Sequence, residues 1–188
     1  MILLNPKNHT RTYPDAKSRD IMLKTIEFFE NKGKVKLKED DRNRVWYADL
    51  LQFLKDEKIF YTLLTPSKYG KEDCRWDTWR NCEFNEIMAF YGLHYWYTWQ
   101  VTILGLGPLW MSKNEAIKKK TADLLESGAV FGFGLSEKEH GADIYSSDLS
   151  LYPVETGVYR ARGGKYYIGN ANVAAIVSTF GRFGGTDQ

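Results

Sequence analysis

Gly128-Ala129-Val130-Phe131-Gly132-Phe133-Gly134-Leu135-Ser136-Glu137-Lys138-Glu139-His140-Gly141-Ala142-Asp143 is the stretch on which the fold turns. Upstream of it, apolar residues recur at helical spacing; downstream they alternate or form short blocks. Ala129 to Leu135 is apolar with small residues interleaved, which predicts a buried strand. From Ser136 the chain becomes polar, with one glycine and closely spaced acidic groups, which predicts a loop at the strand's end. Such a loop can present backbone N–H groups and a hydroxyl to a ligand. The same spacing also suits a tight turn with solvated charges.

Working back from Gly128, Ser112 and Glu115 have the spacing of a capping box that opens a helix, and Gly128 closes it. Gly105-Leu106-Gly107-Pro108 is expected to break a helical pattern. Trp76 to about Trp99 carries Phe84, Ile87, Met88, Phe90, Tyr91, Tyr95 and Trp96 on nearly every side, so it is expected to be one long buried helix. Thr65 to Gly70 reads as a loop from its proline and glycine. Tyr47, Leu50, Leu51 and Leu54 form one helical stripe. Met22, Ile26 and Phe29 form another that stops near Gly33. Between them, Lys34 to Arg44 is charged throughout and is expected to be a solvated connection.

Forward from Asp143, strands are expected over Ser147–Val154, Val158–Ala161, Lys165–Ile168 and Ala174–Phe183, with a turn at Glu155-Thr156-Gly157. The expected fold is α+β: an all-helical domain over 1–128, then an incomplete antiparallel β domain over 129–188. The last strand is followed by turn composition with no returning strand.

Composition sets limits on function. The chain has 188 residues, 43% hydrophobic and 27% charged, which suits a globular domain and excludes disorder and coiled coil. Its 26 basic and 24 acidic residues are interspersed, leaving no electrostatic footprint for nucleic acid. Cys74 and Cys82 stand apart from any Cys/His cluster, so no metal site is expected and both are read as reduced thiols. The apolar run Trp99–Met111 is shorter than the ~20 residues of a membrane span. Met1–Lys7 is too short an apolar run for a secretory signal. A cytoplasmic location is therefore expected.

Two motifs in this order carry a resemblance. Phe133-Gly134-Leu135-Ser136-Glu137-x-x-x-Gly141-Ala142-Asp143 is followed, after about 20 residues of hairpin, by Gly163-x-Lys165-x-x-Ile168-x-Asn170-Ala171. Behind a helical domain, this pair resembles the acyl-CoA dehydrogenase family. The resemblance implies an oxidoreductase of fatty-acid metabolism that binds FAD non-covalently. It implies α,β-dehydrogenation of an acyl-CoA thioester to the enoyl-CoA. An electron-transfer flavoprotein is implied as electron acceptor, and the complete enzyme as a homo-oligomer.

The resemblance assigns Phe133, Leu135 and Ser136 to the strand facing the flavin pyrimidine ring. It assigns Gly141 and Ala142 to the loop near the FAD pyrophosphate and the acyl-CoA, and Tyr167 and Gly169 to the flavin edge near N5. Ala142 and Gly169 stand where the family commonly has hydroxyl side chains, and Tyr167 where it commonly has Trp. The family's catalytic glutamate lies in a C-terminal helical part beyond residue 188, so no catalytic residue is expected here. Glu137 is expected to stabilise the loop, and His140 to be a loop histidine. The expectation is the N-terminal portion of such an enzyme, inactive as an isolated chain. The alternatives are a portion of an acyl-CoA oxidase, or a non-catalytic remnant or partner subunit that binds a C-terminal part or second chain through an open β edge.

Overall fold

The computed structural model describes residues 13–184. The readings of Met1–Lys7 and of the last four residues lie outside them. Contacts divide the chain into two compact units, one helical (1–100 and 113–129) and one holding the strands (101–112 and 130–188).

The helical unit begins with α1 (Ala16–Lys32), which buries Ile21, Met22, Ile26 and Phe29, the face expected from the spacing. Asp15 caps it by accepting the Ser18 N–H at 2.7 Å. Gly33, at φ +78°, ends α1 and leads directly into α2 (Lys34–Arg42). The expected solvated connection is thus a helix. Its charges are spaced to support one: Lys36 pairs with Asp40 at 2.8 Å across one turn, and Lys32 reaches the same carboxylate at 3.0 Å. Leu37 is its one buried apolar side chain.

Next come α3 (Ala48–Asp56) and α4 (Ile59–Leu64), whose six residues are all buried. Then α5 (Thr78–Tyr91) packs on α1. The expected single helix over Trp76–Trp99 is instead two, because Gly92 separates α5 from α6 (Leu93–Met111). A Cβ at Gly92 would lie 2.9 Å from the His94 ring. Trp99, wholly buried, packs on Phe60 and Phe84 at ring distances of 5.1 and 4.6 Å.

The expected break at Gly105–Pro108 does not occur; α6 runs on to Met111 with Pro108 inside its last turn. Near the helix end the proline forfeits only one late hydrogen bond, which the helix tolerates. Ser112 donates to the Leu109 carbonyl at 2.9 Å. The cap of α7 (Glu115–Glu126) is Asn114, not Ser112: its side chain accepts the Ile117 N–H at 3.1 Å. Gly128, at φ +88°, follows α7 and lets the Ala129 N–H return to Leu124.

In the second unit, β1 (Phe131–Gly134) pairs with β4 (Ile176–Thr179), and β2 (Ser150–Glu155) with β3 (Val158–Arg162) and β5 (Arg182–Phe183). The α+β class holds, with a small partial sheet. Among the described residues, only the β2–β3 hairpin is antiparallel; β1–β4 and β2–β5 are parallel. The long return from Gly134 to Ile176 makes a parallel pair possible, as a tight hairpin could not. The expected strand Ala174–Phe183 is two strands, because the chain changes partner: Phe180 N–H donates to Gly134, and Arg182 N–H to Leu149. Lys165–Ile168 is not a strand. Gly163 at φ +132° turns the backbone ahead of it, and Tyr167 at φ +61° turns it from within. Among the described residues, no helix is long and apolar enough to cross a membrane.

Candidate functional site

The end of β1 is built by close backbone packing. A Cβ on Gly105 of α6 would come within 2.5 Å of the Gly132 carbonyl oxygen, so only glycine allows this approach. The Gly105 carbonyl in turn accepts from the Ser178 hydroxyl of β4 at 2.6 Å. Asn170 fastens the other side. Its buried amide donates to the Phe131 carbonyl at 3.0 Å and to Thr102 Oγ1 at 3.3 Å. Its backbone is left-handed at φ +61°, a conformation asparagine tolerates better than most residues. Asn170 thus joins β1, α6 and the bend that precedes β4.

Beyond Gly134 the loop is held by charge. Glu137 is buried, and its carboxylate accepts from Lys165 Nζ (2.6 Å), Ser147 Oγ (2.5 Å), Asp148 N–H (2.6 Å) and Leu149 N–H (3.0 Å). Lys165 also donates to the Leu135 carbonyl at 3.1 Å. Lys165 and Ser147 hold the Glu137 carboxyl well below the usual carboxylate range. A carboxylate that accepts four hydrogen bonds from two segments, Lys165 and the run from Ser147 to Leu149, serves as an anchor of the loop. Glu137, His140 and Asp148 come close enough to suggest a cation site, but this anchoring occupies Glu137.

His140 Nδ1 lies 2.8 Å from Asp143, which raises the imidazole pKa above 6.5. The other oxygen of Asp143 accepts the Gly141 N–H at 2.7 Å.

The seven expected site residues fall as follows. Leu135, Ser136 and Gly141 line one hollow of about 190 Å³, with Glu137, His140, Ile144 and Ser147. Ser136 accepts the Tyr166 N–H at 2.8 Å through its carbonyl, while its hydroxyl is exposed and has no partner among the described residues. One residue further, Tyr167 is 84% exposed. Gly169 comes to the same strand: a Cβ on Gly132 would lie 3.3 Å from its carbonyl. Phe133 is half-buried in β1, opposite Ser178. Ala142 is exposed and does not line the hollow. Asn170 and Lys165 are the residues that sequence spacing left without a role. Both stand in the second motif, and their partners lie 18 or more positions away.

A helical unit followed by this strand-and-loop arrangement is the fold of the acyl-CoA dehydrogenases. Butyryl-CoA dehydrogenase from Megasphaera elsdenii superposes with a TM-score of 0.71 at 23% identity, over 88% of this chain and 44% of that one. An acyl-CoA dehydrogenase complexed with FAD from Bacillus anthracis gives 0.72 at 20% identity, over 96% and 30%. A glutaryl-CoA dehydrogenase from Mycobacterium smegmatis in complex with FADH2 gives 0.72 at 16%, over 90% and 43%. The chain therefore spans less than half the length of the solved structures it resembles. No family model matches the sequence, and no curated protein does.

Proposed function

We propose that this chain forms one wall of the FAD site of an acyl-CoA dehydrogenase, with Phe133, Leu135, Ser136, Gly141, Ala142, Tyr167 and Gly169 toward the cofactor. The observation that carries the reading is Tyr167: a large aromatic side chain, 84% exposed, on a left-handed backbone, next in the chain to Tyr166, whose N–H binds the Ser136 carbonyl. A tyrosine in that conformation costs about 1–3 kcal/mol and persists where its surroundings over-determine it, as at ligand sites. Its ring suits the face of a flat ligand, and Ser136 can hydrogen-bond the ligand's edge. The fit has limits: Gly141 N–H is already engaged by Asp143, and Ala142 and Gly169 bring no hydroxyl.

FAD, when bound, supplies a hydride acceptor for α,β-dehydrogenation of an acyl-CoA thioester. The chain's own part is to bind and orient. Ser136 donates or accepts at the ring edge, Tyr167 covers the ring, and the Glu137–Lys165 pair keeps the loop in place. Glu137 takes no proton, so removal of the substrate's α-proton falls to a group outside residues 1–188. The isolated chain accordingly shows no turnover of acyl-CoA with an artificial acceptor. We assign the helical domain to 1–128 and the β domain to 129–188. An electron-transfer flavoprotein is the proposed electron acceptor, and the cytoplasm the proposed location.

Flavin absorbance titration tests the reading. The chain alone binds FAD weakly, since half a site meets the full cost of immobilising the ligand, about 4–15 kcal/mol. The C-terminal helical half of an acyl-CoA dehydrogenase, added as a separate polypeptide, strengthens binding. Ser136→Ala weakens it by about 0.5–1.5 kcal/mol. Unchanged affinity in Ser136→Ala removes the β1 end from the site. Absence of binding both alone and with the helical half overturns the proposal.

A further inference from the structure

The β2–β3–β5 ribbon carries a charge pattern that the flavin reading does not use. In its register Arg162 and Arg182 flank Ser150, and Arg160 lies opposite Tyr152. Directly opposed residues share a face, and so do residues two apart on a strand, about 6–7 Å along it. The three arginines and Tyr152 therefore share one face. The opposite face holds Tyr159 and Phe183, whose rings meet edge to face at 5.1 Å, as this alternation requires.

None of the three guanidiniums has an ion-pair or hydrogen-bond partner among the described residues. In the helical unit Arg75 pairs with Asp15 and Asp77, and Arg80 with Asp15, while Arg19 stands exposed and alone among the described residues; what sets the ribbon apart is three arginines on one face. Arg160 and Arg162 line an open hollow of about 590 Å³ with Tyr152, Pro153 and Val154. The Tyr152 ring is fixed from beneath. A Cβ on Gly184 would fall 2.5 Å from two of its carbons, so the ring rests on that glycine with 43% of the residue exposed.

We propose that this face binds a diphosphate carrying an aromatic ring, with Arg160 and Arg162 on the phosphates, Arg182 adding charge, and Tyr152 stacking on the ring. A guanidinium's planar fork matches phosphate oxygens two at a time. Tyrosine offers a flat apolar surface already held in place. An acidic protein surface would use the arginines but leave the Tyr152 platform without a purpose. The site shares no residue with the flavin wall and stands or falls independently of it.

Isothermal titration calorimetry on the full chain at low ionic strength, with inorganic pyrophosphate and then ADP, tests the proposal. ADP binds tighter than pyrophosphate. Arg160→Gln with Arg162→Gln weakens both by about tenfold or more, as expected for lost hydrogen bonds to a charged group. Arg162→Lys, which keeps the charge and loses the fork, falls between. Tyr152→Leu leaves pyrophosphate unchanged and removes about fivefold or more of the ADP affinity. Arg19→Gln, an exposed arginine of the helical unit, changes neither. Three results overturn the proposal: no pyrophosphate binding to the unaltered chain, an equal loss in Arg19→Gln, or a polyglutamate peptide that displaces ADP while Tyr152→Leu has no effect.

Discussion

Arg80 in the helical unit is wholly enclosed, and Lys165 in the β unit nearly so, each against a carboxylate. Their surroundings differ. Arg80 donates to Ser18 Oγ at 2.8 Å, to the Asp73 carbonyl at 2.7 Å and to Asp15 at 3.1 Å, inside a unit that also buries Ile21, Met22, Phe29, Phe84 and Trp99. Burial opposes ionisation of Asp15, but hydrogen bonds from Arg75 and Ser18, with the Arg80 charge, more than offset it and hold the carboxyl well below its ordinary range. In the β unit, Val101, Leu106, Val130 and Phe131 are the buried apolar side chains among the described residues. There the Glu137–Lys165 pair fixes a loop that little apolar packing could hold. One pair adds specificity to an existing core; the other takes a core's place.

The largest test of that contrast is Arg80→Met. It leaves Asp15 and the Asp73 carbonyl without their buried partner, and chemical denaturation should show a loss of about 3 kcal/mol. A loss below 1 kcal/mol would mean that α1 and α5 are held by apolar contacts alone. Gly105→Ala should cost about 1–3 kcal/mol, because its Cβ meets a backbone carbonyl that cannot move aside. Hydrogen exchange should place that loss at β1 and β4. Lys165→Met should act more locally, speeding exchange at Asp148, Leu149 and Tyr166 while the amides of α1 and α5 keep their protection. Equal acceleration in α1 would break the distinction between the two pairs.

The smallest effect concerns His140. Asp143 raises its pKa, so the folded loop prefers the charged imidazole. That contribution is complete below pH 6.5 and fades as pH rises through the higher folded value. An NMR titration should find the His140 midpoint above 6.5, and Asp143→Asn should bring it down.

These contrasts also show what could be read without coordinates. The α1 face was legible because Met22, Ile26 and Phe29 lie on one local stripe, and the change of period at Gly128 marked the passage from helices to strands. The α2 helix was hidden because its support comes from charge spacing and a single Leu37. Gly105 and Pro108 read as a break because local propensity says nothing of a glycine required where another backbone passes. The loop around Ser136 was visible as a place. The roles of Lys165 and Asn170 were not, since each depends on groups far off in sequence. The Lys165–Ile168 segment has the composition of a strand, yet it turns on Tyr167, whose left-handed backbone contradicts its own preference.

The change of partner at Phe180–Gly181 has a kinetic consequence. The β2–β3 hairpin is local and can close in about 1–10 μs. Pairing of Phe131 with Ile176 must bridge the whole segment that contains this hairpin, so it is the slow step of the unit. β5 follows β4 by two residues in the chain and docks on β2 with little further search once β4 has found β1. Until then the β2 edge stays open to any other extended segment, including the same edge of a second molecule. Yield on refolding should therefore fall with protein concentration more steeply than the stability of the finished fold would indicate.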